Sequence, residues 1–277
     1  MIPSNKYPAK LILFGEYGVL KGGIGLALPY HACHAWWSDK TPHGTSAVPG
    51  DIMRKLQQWC AEKPELNAFI DVAAFLQALN KGEELVTDIP MGYGLGSSGA
   101  VVAAIYDRFK KKTVADLDLL KQLLGGMESV FHGKSSGLDP LVSYLNKAVL
   151  ISEGKTETQP VRNPLKFELY NTEISRSTSH LVETFMERMK DDAYRKLIMD
   201  TYIPLSNECI ALWLEGNRQA LLPKLHSLSA FQLEYFNFAI PSHIRKEWEN
   251  SLNGGAHIFK LCGAGGGGYM LNFPKDQ

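Results

Sequence analysis

Residues 90–100 read PMGYGLGSSGA, placing four glycines and two serines within positions 92–99, directly ahead of an apolar stretch that reads as a helix over Ala100 to Lys111. This loop restricts the fold more than any other part of the chain. Glycines let a backbone come close to a bound group, and the first turn of the following helix offers unpaired N–H groups and a positive dipole end. The serine hydroxyls add contacts for phosphate oxygens or for a divalent cation. The stretch is therefore an anion cradle made of Gly92, Gly94, Leu95, Gly96, Ser97, Ser98 and Gly99.

Three readings of the cradle compete. A Walker loop requires G-x-x-x-x-G-K-[ST], and no lysine follows these glycines, so that reading fails. A dinucleotide fingerprint, G-x-G-x-x-G, is formally met by Gly94, Gly96 and Gly99. Its context is wrong, because a second amphipathic helix, with Leu117, Leu120, Leu124, Met127 and Phe131 on one face, stands where a parallel strand should follow. A turn rich in glycine for packing alone is the plain alternative.

The 277 residues suit one large domain or two modest ones sharing a cleft. Lys plus Arg and Asp plus Glu both number 29, which leaves no global field to gather nucleic acid or an anionic membrane. The expected partner is a small molecule, with no nucleic acid and no membrane. Cys33, Cys60, Cys209 and Cys262 are scattered without C-x-x-C spacing, no signal-like segment opens the chain, and no apolar run nears the roughly 20 residues of a membrane span. A reducing cytoplasm is the expectation.

Along the chain, Lys10–Phe14 and Leu26–Leu28 read as paired strands, 31–50 as a loop, 51–81 as helices and 85–90 as extended. The 115–131 helix is followed by strands at 149–152 and 167–170. The polar stretch 154–164 between those strands is the expected domain boundary. The portion 179–250 is mostly helical, and 259–273 reads as strand, turn, strand. Trp36-Trp37 pack in the core or at a subunit contact such as that of a homodimer. His31 and His34 form H-x-x-H without a recognisable third ligand, and His132 reads as a helix-end residue.

The segment P-x-x-x-G-L-G-S-S-x-A at Pro90–Ala100 resembles the second signature of the GHMP kinases. Pro8-Ala9-Lys10 with LILFGEYGVL resembles their first, and KLCGAGGGGYML at Lys260–Leu271 resembles their third, all in family order. The resemblance spans essentially the whole chain. It implies an α+β GHMP kinase fold: an ATP-binding N-terminal domain over 1–160, a ferredoxin-like C-terminal domain over 161–277, and ATP in the cleft between. ATP and Mg²⁺ are the implied cofactors.

Within the family, ESVFHGKSSGLD at Glu128–Asp139 and LYNTEISRSTSHLVE at Leu169–Glu183 resemble segments of the mevalonate kinases. The implied reaction is phosphoryl transfer from ATP to the hydroxyl of mevalonate, a step in isoprenoid precursor synthesis. Other acceptors (phosphomevalonate, homoserine, a sugar) and a non-catalytic metabolite-binding protein are the alternatives. By this resemblance Asp139 orients and deprotonates the hydroxyl, Lys10 polarises it, and Ser98 and Glu128 complete a Mg²⁺ shell. Glu16, Tyr17, Arg176, Thr178, Gly263, Ala264 and Gly265 would lie on the substrate side, although Glu16 could instead hold the loop after the first strand. The chain departs from the family at Tyr17 for histidine, Gly99 for alanine, Ser135 for proline and Cys262 for Ser or Thr.

Overall fold

A computed structural model describes residues 5–63, 66, 68–160, 164–175 and 179–275. Strands β1 (Tyr7–Phe14), β2 (Gly25–Ser38), β3 (Ser46–Ala47), β4 (Glu84–Thr87), β5 (Ala148–Ser152) and β6 (Lys155–Gln159) form one sheet in the order β3-β4-β2-β5-β6, with β1 beside β2. A second, antiparallel sheet has the order β7-β9-β8, from β7 (Glu168–Asn171), β8 (His257–Leu261) and β9 (Tyr269–Pro274). Among the described residues, no helix is long and apolar enough to cross a membrane.

The expected loop at 31–50 is strand as far as Ser38. Ala35 and Trp37 are buried in alternation with less buried neighbours, and Ala35, Trp36, Trp37 and Ser38 pair with Thr87, Val86, Leu85 and Glu84. Aromatic side chains favour a pleated, half-buried surface, which offsets the irregular hydropathy of the segment. Trp37 also donates from Nε1 to the carbonyl of Ala104 at 3.1 Å, which fixes its place in the core. The polar stretch after Ser152 differs as well, since Lys155–Gln159 is a strand joined to β5 by the Glu153-Gly154 turn.

Contacts divide the chain into two compact units that do not meet at a single linker near residue 160. One gathers Met1–Lys10, Leu28–Met91 and Leu95–Val149; the other gathers Leu11–Ala27, Gly92–Gly94 and Leu150–Gln277. In the first unit, α1 (Gly50–Ala61) and α2 (Val72–Asn80) accompany α3 (Ser97–Phe109), α4 (Leu117–His132) and α5 (Leu138–Leu145). Every side chain from Ala100 to Tyr106 is buried, so α3 is the central helix of this unit. The Asp116 carboxylate caps α4 by accepting from the N–H groups of Asp118 and Leu119 at 2.9 and 3.0 Å.

In the second unit, α6 (Ser179–Arg188), α7 (Asp192–Leu197), α8 (Ile203–Glu215), α9 (Arg218–Tyr235) and α10 (Ser242–Leu252) surround β7-β9-β8. A wide π-type turn over Ile198–Tyr202 joins α7 to α8 and carries Tyr202 into the core. There its hydroxyl donates to the Glu16 carbonyl at 2.8 Å. Phe14 and Trp213 meet edge to face with centroids 5.9 Å apart, and Trp248 Nε1 donates to Ser229 Oγ at 2.8 Å.

Candidate active site

The first turn of α3 starts at Gly96, a left-handed residue (φ 70°) that turns the chain from the loop into the helix. Asp139 lies against this turn from α5: a Cβ at Gly96 would stand 3.1 Å from Asp139 Oδ2. Gly99 is needed for a different reason, close approach. A Cβ there would stand 2.7 Å from the Asp139 carbonyl carbon, from the Asp139 Cβ and from Pro140 N. The two glycines thus let the carboxylate of Asp139 reach the helix end.

β1 brings in the opposite charge. Lys10 Nζ lies 2.7 Å from Asp139 Oδ1, and its backbone N–H donates to the Leu95 carbonyl at 2.8 Å. Ser143 Oγ, on α5, donates to the Pro8 carbonyl at 2.8 Å and holds α5 along β1. The lysine side chain is 5% exposed and the aspartate side chain 28%, so the anion is the accessible end of the pair.

Glu128, on α4, completes the group. Its Oε1 accepts from Ser98 Oγ at 2.8 Å and its Oε2 accepts from Ser135 Oγ. Burial, and next the charge of Asp139, push the Glu128 carboxyl up to about 7; the Ser135 and Ser98 hydroxyls and Lys10 act in the opposite direction. Among the described residues, no group of three or more His, Cys, Asp or Glu side chains is arranged to hold a metal ion, and that includes the His31/His34 pair. A cation here would rest on the Glu128 carboxylate, a serine hydroxyl and oxygens of its own ligand. That is the mix Mg²⁺ favours, and a buried carboxylate short of positive charge fits it.

Lys10, Leu95, Gly96, Ser97, Ser98, Gly99, Glu128 and Asp139 all belong to the first unit, whereas Gly92 and Gly94 fall in the second. Two of the substrate-side candidates, Glu16 and Tyr17, are buried. Glu16 is wholly buried, with its carboxylate paired to the equally buried Lys260, whose Nζ also donates to the Leu261 carbonyl at 2.8 Å. Tyr17 is buried among Phe185, Phe236 and Phe238, and its hydroxyl donates to the Ala264 carbonyl. Both side chains are buried within the unit, where Glu16 pairs with Lys260 and Tyr17 with the Ala264 carbonyl. Gly263 and Gly265 are buried and Ala264 is half-buried. Arg176 and Thr178 lie outside the described residues.

Two participants carry no assigned role in the sequence reading. Lys260 had a signal, a lysine enclosed by Phe259 and Leu261 in an apolar strand, since lysine is almost never fully buried without a partner. Ser135 had only its departure from the family's proline.

Residues 67–147 match the family model described as the GHMP kinases N terminal domain. A mevalonate kinase of Thermococcus gammatolerans is 26% identical over 300 residues, covering 98% of this chain and 88% of that protein. Among solved structures, the mevalonate kinase of L. major in complex with R-mevalonate superposes with a TM-score of 0.67 at 19% identity, over 100% of this chain and 89% of that one. The phosphomevalonate kinase of Streptococcus pneumoniae superposes with a TM-score of 0.65 at 16% identity, over 100% and 92%.

Proposed function

We propose that this chain, which has the GHMP kinase fold, is an ATP-dependent small-molecule kinase that moves the γ-phosphoryl group onto the primary hydroxyl of mevalonate. The observation that carries the reading is the Lys10–Asp139 pair, 2.7 Å apart and lying against the glycine-bordered first turn of α3. Phosphoryl transfer asks little covalent help of a protein; it needs in-line placement and neutralised charge.

In this reading Asp139 accepts a hydrogen bond from the acceptor hydroxyl and takes its proton as the oxygen attacks phosphorus. Lys10 keeps Asp139 turned toward that oxygen and offsets the negative charge that develops on it. The P–O bond to the β-phosphate breaks and ADP leaves. Gly96, Ser97, Ser98 and Gly99 hold the phosphates through their amides and hydroxyls. Ser98 and Glu128 would hold Mg²⁺, which when bound neutralises charge on the phosphate oxygens. The match over 67–147 supports giving the nucleotide to the N-terminal portion, 1–160.

Mevalonate is favoured among acceptors by the relative matched over nearly the whole chain and by the offset between Glu128 and Asp139. The fold leaves phosphomevalonate in play, since both kinases named above superpose about equally well. A coupled ADP-release assay against mevalonate, phosphomevalonate, homoserine and galactose is the test. Mevalonate should give the highest kcat/KM, and a clear preference for another acceptor overturns the substrate while leaving the chemistry. A cytoplasmic location belongs to the same proposal, supported by four cysteines that are all free thiols.

A further inference from the structure

Ser135 stands where the family signature has proline, and a proline there would supply no hydroxyl. In this chain that hydroxyl sits between two groups of the site. The Gly137 N–H donates to Ser135 Oγ at 2.9 Å, and Ser135 Oγ donates to Glu128 Oε2. A serine hydroxyl has one proton and two lone pairs. With an amide occupying one acceptor position, the hydroxyl proton is directed at the carboxylate whenever Glu128 is ionised, which is the form that faces a cation.

Gly137 is the N-cap of α5, and Asp139 lies in the first turn of that helix. The two bonds through Ser135 therefore form a strut from the Glu128 carboxylate on α4 to the turn that presents Asp139. Ser98 reaches the other oxygen of Glu128 from α3 at 2.8 Å. A carboxylate gripped at each oxygen from a different segment cannot rotate about its terminal bond without losing a charge-assisted hydrogen bond. Two buried or half-buried carboxylates that repel each other also gain most from donors that fix their separation.

We infer that Ser135 is a positioning residue of this site, whose hydroxyl sets the orientation of Glu128 relative to Asp139 and thereby the strength with which the divalent cation of the nucleotide complex is held. The inference rests on the reading of Glu128 as a cation-facing carboxylate. The hydroxyl supplies a hydrogen-bonded connection that a proline at this position would lack.

The test is Mn²⁺ binding by the intact protein in the presence of a non-hydrolysable ATP analogue, read from the free-Mn²⁺ electron paramagnetic resonance signal, alongside turnover as a function of Mg²⁺. Wild type, S135A, S135T, S135C, E128Q and the double variant S135A/E128Q are compared, with circular dichroism to check folding. S135A should weaken Mn²⁺ binding on the order of tenfold, as losses of partners to metal ligands do. S135T should restore it to within about twofold, and S135C, a weaker donor of similar volume, should fall between. In the E128Q background S135A should cost little more, because Ser135 acts through Glu128.

Wild-type Mn²⁺ affinity in S135A, with E128Q impaired, overturns the strut and leaves the proposed function standing. Equal losses from S135A with and without Glu128 overturn the positioning role, since Ser135 would then act on its own. If E128Q itself binds Mn²⁺ normally, the assignment of Glu128 fails and the inference with it. Should S135A not fold, S135C and S135T decide the matter, and indistinguishable affinities for those two overturn it.

Discussion

Two lysine–carboxylate pairs stand beside glycine-rich loops, Lys10–Asp139 in the first unit and Lys260–Glu16 in the second, and they differ in one respect. In the first, the aspartate keeps 28% of its side chain exposed; in the second, both side chains are fully buried. Burial decides what the same chemistry can do. An ion pair with an accessible anion can exchange a hydrogen bond for one to an acceptor hydroxyl. A sealed pair cannot, and removing one partner strands the other charge in a low-dielectric interior. Burial pushes the Glu16 carboxyl up, while the ammonium of Lys260 pulls against it. The sealed pair joins the end of β1 to the end of β8, next to the turn whose Tyr17 hydroxyl reaches Ala264, and it reads as a fastening of the second unit.

The comparison breaks most visibly at the accessible pair. Asp139→Asn keeps the size of the side chain but removes the base, so kcat should fall by roughly 10²–10⁴, while the stability loss stays well below that at the sealed pair because the amide oxygen can still accept from the buried Lys10 ammonium. Turnover and urea denaturation on the same preparation read both quantities. A stability loss like that of the sealed pair, with turnover preserved in the folded fraction, would reverse the roles of the two pairs.

At the sealed pair, Lys260→Ala should cost about 3–5 kcal/mol of stability, from the uncompensated charge of Glu16. Turnover per folded molecule should change far less than in Asp139→Asn. Denaturant midpoints with activity normalised to folded protein check this, and a wild-type midpoint would show that the buried pair contributes nothing.

Gly99→Ala sharpens the comparison by moving the accessible carboxylate without altering its chemistry. The added Cβ would meet the backbone of Asp139 and Pro140 at 2.7 Å, so α3 and α5 must part. Overpacking of this kind costs about 1–3 kcal/mol, and kcat should drop because Asp139 shifts. An unchanged kcat would mean that Asp139 tolerates displacement and is not the proton acceptor.

The smallest effect is a pH slope. With its carboxyl pushed up to about 7, Glu128 stays protonated in the folded protein at pH values where it ionises in the unfolded chain. Its contribution to stability is therefore full below the unfolded value of about 4.3 and is lost as pH rises through about 7. Glu128→Gln should flatten the fall in stability of the ligand-free protein between about pH 4.5 and 7.5, measured by denaturation across that range. In wild type, Mn²⁺ affinity should rise over the upper part of the same window as the proton leaves. A variant with the wild-type slope would show that Glu128 titrates normally.

What the sequence determined by itself is the local chemistry with a fixed spacing: the glycine-serine loop ahead of α3, the carboxylates eleven positions apart, and the strand–turn–strand at the C-terminal end. Those are legible because a cradle or a turn needs particular residue types at consecutive positions, and the backbone geometry follows within a few residues. The strand through His31–Ser38 was hidden, since its alternation emerges only once the segment pairs with β4 and one face is buried. The division of the chain into interleaved units, and the difference between Glu16 and Asp139, belong to the tertiary structure alone. Both are acidic residues within two positions of a glycine in the sequence, and only packing from distant segments determines which side chain is sealed by a lysine more than two hundred positions away and which stays accessible to a substrate.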